Sequence, residues 1–294
     1  MIRYKFKPAL AAGVLLAALG CTSTVLSDGP DPAALLADMQ DALVPPIAQF
    51  SRVHISARSE QPGGGSKEWD ALVIRERDDE GPHTALSLLT PEPLKGTAIL
   101  TAPHPAKATQ GLWVYAPEER RAVEFSPLEA DRQFLTTRFN FEDLALTTRA
   151  TKAPVLLGSE RGASGVLWKV ETQPTLDRYY ARILTWIADD TRLPVKREYY
   201  DRANQLWKVV TYRHQLVDGI PTVTAIDLRD VQSRDVARWR LDAVAYHREK
   251  LEQKVLSPVG LGDLPKLAFW RTLSDSGDGA TKILRTDEVA TPGR

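Results

Sequence analysis

The chain has one cysteine in 294 residues and no excess of either charge, with 38 Lys+Arg against 38 Asp+Glu. A single cysteine excludes an intramolecular disulfide and a thiolate-rich zinc site. Balanced charge argues against nucleic-acid binding, which brings a clear basic excess. The five histidines, at positions 54, 83, 104, 214 and 247, form no His-x3-His or His-Glu-x2-His pair for a metal on one helix face. Also missing are a Gly-x-Ser-x-Gly elbow, a P-loop and a Gly-x-Gly-x2-Gly turn, so no catalytic or cofactor-binding constellation is expected. Asp275–Gly279 lacks the acid or Asn at Gly277 and the terminal Glu that a calcium loop needs. What is present is an ordinary globular composition, 43% hydrophobic and 26% charged.

Arg3, Lys5 and Lys7 precede an apolar segment, Pro8–Gly20, which ends at the only cysteine, Cys21. Thirteen residues are too few to span a bilayer, which takes about 20 in a helix. The layout is that of a bacterial secretory signal, residues 1–20. Ala18-Leu19-Gly20-Cys21 resembles a lipobox, although the usual pattern has Leu where Ala18 stands and a small residue at Leu19. Cys21 is therefore the expected lipidation site, and its acyl chains would anchor the protein durably. Thr22, rather than Asp, follows it, which implies outer-membrane sorting. Residues 21–30 read as a lipidated tether.

Asp31-Pro32 opens a helix in the favoured way, with Asp as N-cap and Pro at the first helical position. Leu35, Leu36, Met39 and Leu43 recur on one face, Pro45-Pro46 ends the helix, and packing against a sheet is its expected use. From about Phe50 to His247 the pattern has period two. Strand segments fall at 67–77, 83–90, 96–101, 111–116, 121–126, 154–160, 164–172, 178–188, 193–200, 205–214, 221–231 and 237–247, divided by turn signals such as Asp218-Gly219. Short turns mean antiparallel pairing, since a parallel crossover needs a dozen residues or more. The fold class is mainly β with a few helices: one antiparallel, strongly curved sheet, a partial barrel covered by the helix. Residues 127–150 break the rhythm and hold a short expected helix capped by Asn140; residues 265–294 read as a mobile tail.

Several strands carry bulky apolar groups on both faces. Leu112, Val114 and Ala116 oppose Trp113 and Tyr115; Leu184 and Trp186 oppose Ile183 and Ile187. A sheet wet on one side alternates apolar with polar, so the second face here meets a helix, a ligand or a partner.

Motifs in order along the chain carry a family resemblance: Pro93–Leu100, Leu112–Arg121, Phe139–Leu144, Tyr180–Ile187, Leu193–Asp201 and Leu206–Val210. Over about 34–264 the chain resembles the outer-membrane lipoprotein-sorting family, the relatives of LolA and LolB, in the branch found beside RND/MMPL-type exporters. It departs from that branch at Thr137-Arg138-Phe139-Asn140, where Gly-Ser-Asp is usual. The resemblance implies an unclosed β-barrel with a helical lid, formed by residues 31–264, that holds lipoprotein acyl chains or other lipids without catalysis or cofactor. On that reading Trp113, Tyr115, Phe139, Phe141, Leu184 and Trp186 are candidate cargo-binding residues. The expected partners are lipid or lipoprotein acyl chains, the outer membrane through Cys21, and an RND/MMPL-type exporter, for which the chain would alternatively be an accessory scaffold that binds no lipid.

Overall fold

Asp31 caps the first element: its carboxylate accepts from the Ala33 and Ala34 amides at 3.3 and 3.2 Å, and Pro32 starts α1 (Pro32–Leu43). Leu35, Met39 and Leu43 form its buried stripe. The structure is a computed structural model that describes residues 29–104, 106, 110–126, 134–135, 137–140, 151–162, 165–175, 179–247, 250–267 and 282–283. The expected signal, Cys21, Phe141 and the helix expected beyond Asn140 lie outside the described residues.

A first meander follows α1: β1 (Ala48–Arg58), β2 (Ser66–Arg77), β3 (Pro82–Leu88), β4 (Ala98–Pro103), β5 (Gln110–Ala116) and β6 (Arg121–Phe125). The second contains β7 (Val155–Gly162), β8 (Gly165–Thr172), β9 (Tyr180–Ala188), β10 (Pro194–Asp201), β11 (Leu206–Val217), β12 (Ile220–Asp230) and β13 (Val236–His247). Each strand pairs with its sequence neighbour except at β6 and β7, which lie at opposite ends of the sheet. The order is β6-β5-β4-β3-β2-β1-β13-β12-β11-β10-β9-β8-β7, so the meanders join where β1 runs antiparallel to β13, from Ala48↔His247 to Arg58↔Val236. This is the single unclosed antiparallel sheet that the sequence implies. The β1 strand is additional to the segments read there, which begin at 67. Asp218 and Gly219, both with positive φ, close the β11–β12 hairpin as an Asp-Gly turn should.

β12 and β13 pair only from Ala225↔Arg240 to Arg229↔Val236. Beyond that they diverge, and a two-residue strand, β14 (Lys282–Ile283), pairs in parallel with Ala243 and Val244 of β13. Bulges at Arg52/Val53 on the β1–β13 seam and at Arg213/His214 on β11–β12 bend the strands.

Alternation divides the sheet into two faces. The inner face packs on α1: Ile55, Val73, Ile183, Val210, Ile226 and Trp239 share one core with Leu35 and Met39. Residues 250–267 cover the outer face of β1–β5 and the adjoining half of β13, where Phe50, Leu72, Ile74, Leu100 and Trp113 meet Leu256, Leu261 and Leu264 of this strap. The second apolar face over the first meander is therefore covered by the chain itself.

Truncating the buried Leu261 to Ala should cost about 2–5 kcal/mol in urea unfolding. The nearby Val259, 78% exposed, should tolerate the same change within about 0.5 kcal/mol. Equal effects at the two positions would show that the strap is not part of the cooperative fold.

Candidate functional site

The inner face is a trough shared by both meanders and covered by α1. Its apolar floor comes from alternate residues of many strands, and the segment between the meanders adds Phe134 and Phe139, both buried in the same core. Two ion pairs hold α1 at its margins. Asp41 pairs with Arg77 at the end of β2, and Asp38 pairs with Arg192, which follows β9, at 3.7 Å. One helix is thus tied to both meanders through half-exposed carboxylates, each pair worth about 0–1 kcal/mol.

Three buried cations interrupt this apolar surface. Arg75 donates to Gln49 Oε1 at 3.4 Å and lies 5.3 Å from the Trp239 ring. Gln49 in turn donates to the Tyr246 hydroxyl at 3.0 Å, and that hydroxyl lies 2.6 Å from Thr222 Oγ1, which bridges β13 to β12 where the strands diverge. Burial lowers Arg75 to about 10, with Tyr246 acting in the opposite direction, so the guanidinium remains charged at neutral pH. The same burial raises Tyr246 above its ordinary value. Arg197 sits 5.7 Å from the Tyr212 ring and 3.7 Å from Met39 Sδ of α1. Lys208 lies 5.0 Å from the rings of Tyr180 and Tyr199 and donates to the Arg138 carbonyl at 3.3 Å.

Arg138, with a φ of 64°, fixes the start of the segment that carries Phe139 inward. Its Nε and Nη2 donate to Asp235 Oδ2 at 2.8 and 2.6 Å, while Ser59 donates to Asp235 Oδ1 at 2.7 Å. Beside this clamp is a depression of about 390 Å³ between Thr137, Arg138, Lys67 and Val236. Burial pushes the Asp235 carboxyl up, but the hydrogen bonds from Ser59 and Arg138 outweigh it and hold the group below its ordinary range.

Among the residues read from sequence as candidates, Phe139 faces the trough. Trp113 and Tyr115 lie on the outer face under the strap: Trp113 stacks on His104 at 5.8 Å, and Gly262 sits so close to Tyr115 that a Cβ there would fall 2.9 Å from its ring. Leu184 and Trp186 also face outward, with the Trp186 ring between Lys196 and Lys169 at 3.7 and 4.7 Å. Their alternates Leu112, Val114, Ile183 and Ile187 line the inner core. Strands apolar on both sides carry no parity signal, so sequence could not tell which set faces α1. Arg75, Arg197 and Lys208 were not singled out: Lys208 alone is flanked on both sides by strand formers, Trp207 and Val209, whereas Arg75 precedes Glu76 and Arg197 lies between Lys196 and Glu198. No group of three or more metal-ligating side chains occurs among the described residues, and no described helix is long and apolar enough to cross a membrane.

Replacing Asp38 and Asp41 together by Asn should speed amide exchange throughout α1 while lowering global stability by no more than about 2 kcal/mol, the upper sum for two such pairs. Unchanged exchange would show that burial alone holds the helix. The Asp235 clamp should be acid-sensitive. A folded carboxyl titrating below its unfolded value of about 3.9 contributes stability above that value and loses it as pH falls through the folded one. Asp235→Asn should therefore flatten the acid limb of the unfolding midpoint plotted against pH, which a urea series at graded pH would read.

The fold recurs in known structures. An outer membrane lipoprotein-sorting protein domain from Vibrio parahaemolyticus superposes with a TM-score of 0.67 at 18% identity, covering 78% of this chain and 97% of that one. A DUF1329 family protein from Desulfovibrio piger gives 0.65 at 19% identity, covering 79% and 100%. A LolA superfamily protein from Nitrosomonas europaea gives 0.60 at 19% identity, covering 78% and 98%. No curated protein matches the sequence. Residues 81–259, more than half of the chain, match a family model described as "-like: Uncharacterized protein". The chain belongs to that family, and its unclosed sheet is the fold of the outer-membrane lipoprotein-sorting and LolA superfamily proteins.

Proposed function

We infer that the protein receives or transfers a lipidic cargo, either lipoprotein acyl chains or another lipid, in the trough beneath α1. The observation that carries this reading is the cover itself. A single twelve-residue helix, tied at its margins through two half-exposed carboxylates, lies over a mainly apolar core shared by both meanders. Displacing it would uncover a groove suited to acyl chains, and the Vibrio domain that shares the fold is named for lipoprotein sorting. A sixteen-carbon chain leaving water gains roughly 12 kcal/mol, so a carrier must shield its cargo throughout transfer. No catalytic step enters this scheme. Anchored through lipidated Cys21, the protein would act at the periplasmic face of the outer membrane as a fixed acceptor.

A second reading has its own support. Phe134, Phe139 and α1 fill the described part of the trough, as expected of an accessory scaffold that docks an RND/MMPL-type exporter and binds no lipid. Native mass spectrometry with lipid extraction, on residues 22–294 produced in the periplasm, separates the two. The carrier reading predicts a stoichiometric co-purified lipid, lost when Ile183 or Ile187 is replaced by Asp in a variant that still folds. A clean apo mass with no uptake of added lipid or lipopeptide favours the scaffold.

A further inference from the structure

Among the described residues, none covers the outer face of β11, β12 and the Val236–Arg240 half of β13, and that face is built from different residues. Register aligns them in three rows. Arg213 and Arg240 flank Ala225; Thr211 and Arg238 flank Asp227; Val209 and Val236 flank Arg229. All point away from α1, because their alternates Tyr212, Ile226 and Trp239 belong to the inner core. Neighbouring strands lie about 4.8 Å apart and same-face residues about 6.8 Å apart along a strand, so the four arginines share a footprint of roughly 10 by 14 Å. Between them the small side chains form a floor, and the result is a depression of about 760 Å³.

Its charge is one-sided. Four guanidinium groups line the depression with one carboxylate, Asp227, which Arg213 and Arg238 share at 3.1 and 3.2 Å. Arg229 and Arg240 are exposed and lie within 4 Å of no carboxylate among the described residues, although the charge of Arg240 also acts on Asp242, two residues along the same strand. Planar guanidinium forks suit phosphate oxygens, which accept two parallel hydrogen bonds from each. The floor is not purely polar: Val209 and Val236 lie in it, and Val231 at its edge is 43% exposed. Basic walls over an apolar floor, in a space several times larger than one phosphate, match an amphiphile better than a free ion.

We propose that this depression binds the anionic, phosphate-bearing head group of a lipid, with Arg229 and Arg240 as the primary contacts. The site is on the opposite side of the sheet from the trough and does not depend on cargo binding there. It would fix how the protein lies against a membrane, or hold the head group of a lipid presented to it.

The test titrates the full chain with soluble dihexanoyl phosphatidylglycerol, with its phosphatidylcholine counterpart and with inorganic phosphate, using calorimetry. Saturable binding of the phosphatidylglycerol is expected, with weaker binding of the other two. Arg229→Glu combined with Arg240→Glu should weaken it roughly thirtyfold or more, the loss expected when two charge-assisted contacts to the phosphate are removed. Arg229→Lys with Arg240→Lys should retain most of the affinity, and neither exposed pair should move the thermal midpoint appreciably. Lipid held in the trough would still co-purify with the charge-reversed variant, which separates this site from the cargo reading. Unchanged affinity in that variant would overturn the proposal. So would equal affinity for inorganic phosphate, which would mark a free-anion site, or tighter binding of a polyglutamate peptide, which would mark an acidic protein partner.

Discussion

The architecture rests on the pairing of β1 with β13. Every other strand pair in the main sheet joins sequence neighbours, whereas this one joins Ala48 to His247 and Arg58 to Val236. Without it the chain would be two independent meanders, each with an apolar face too wide for its own strands to cover. With it, residues from both meanders converge on α1 in one core. The seam also positions the polar interior: Gln49 of β1 and Tyr246 of β13 are register partners, and together they reach Arg75 and Thr222. Long-range pairing of this kind carries a large loop-closure entropy, so it must be repaid by the burial it makes possible.

The cations on the inner face belong to the same logic. An isolated buried charge is strongly unfavourable, yet Arg75, Arg197 and Lys208 all lie on the side facing the helix. Each sits within 6 Å of an aromatic ring, Trp239 for Arg75, Tyr212 for Arg197, Tyr180 and Tyr199 for Lys208. Ring faces and neutral hydrogen-bond acceptors offset part of the desolvation. The trough is consequently an apolar surface with fixed positive points, unlike the outer depression, where the arginines stay in water.

Local chemistry made much of the fold legible. Asp31-Pro32 and Pro45-Pro46 bound α1 because capping and ring sterics act within a few residues, and Asp218-Gly219 specified its hairpin for the same reason. The β1 strand was less visible. Ser51, Arg52, His54 and Ser56 punctuate it, and its apolar alternates are completed only by β13 and β2, distant in sequence. Site parity was not legible at all. Trp113 and Leu112 are equally good strand residues, and which of them faces α1 depends on a strap some 140 residues further on that the strand itself does not encode. The basic depression was equally hidden, since Arg213, Arg229, Arg238 and Arg240 gather only when three strands fall into register.

The strap has a consequence for the order of assembly. It follows every strand of both meanders in the chain, yet it covers a face made by the first strands after α1. Until residues 250–267 emerge, Phe50, Leu72, Ile74 and Leu100 lack Leu256, Leu261 and Leu264 above them, and β1 still lacks the partner that ends at His247. The N-terminal meander therefore cannot finish folding as a unit in the vectorial way open to a separate domain. A chain emerging N-terminus first would keep an apolar face of its first meander exposed until the second meander and the strap had been made.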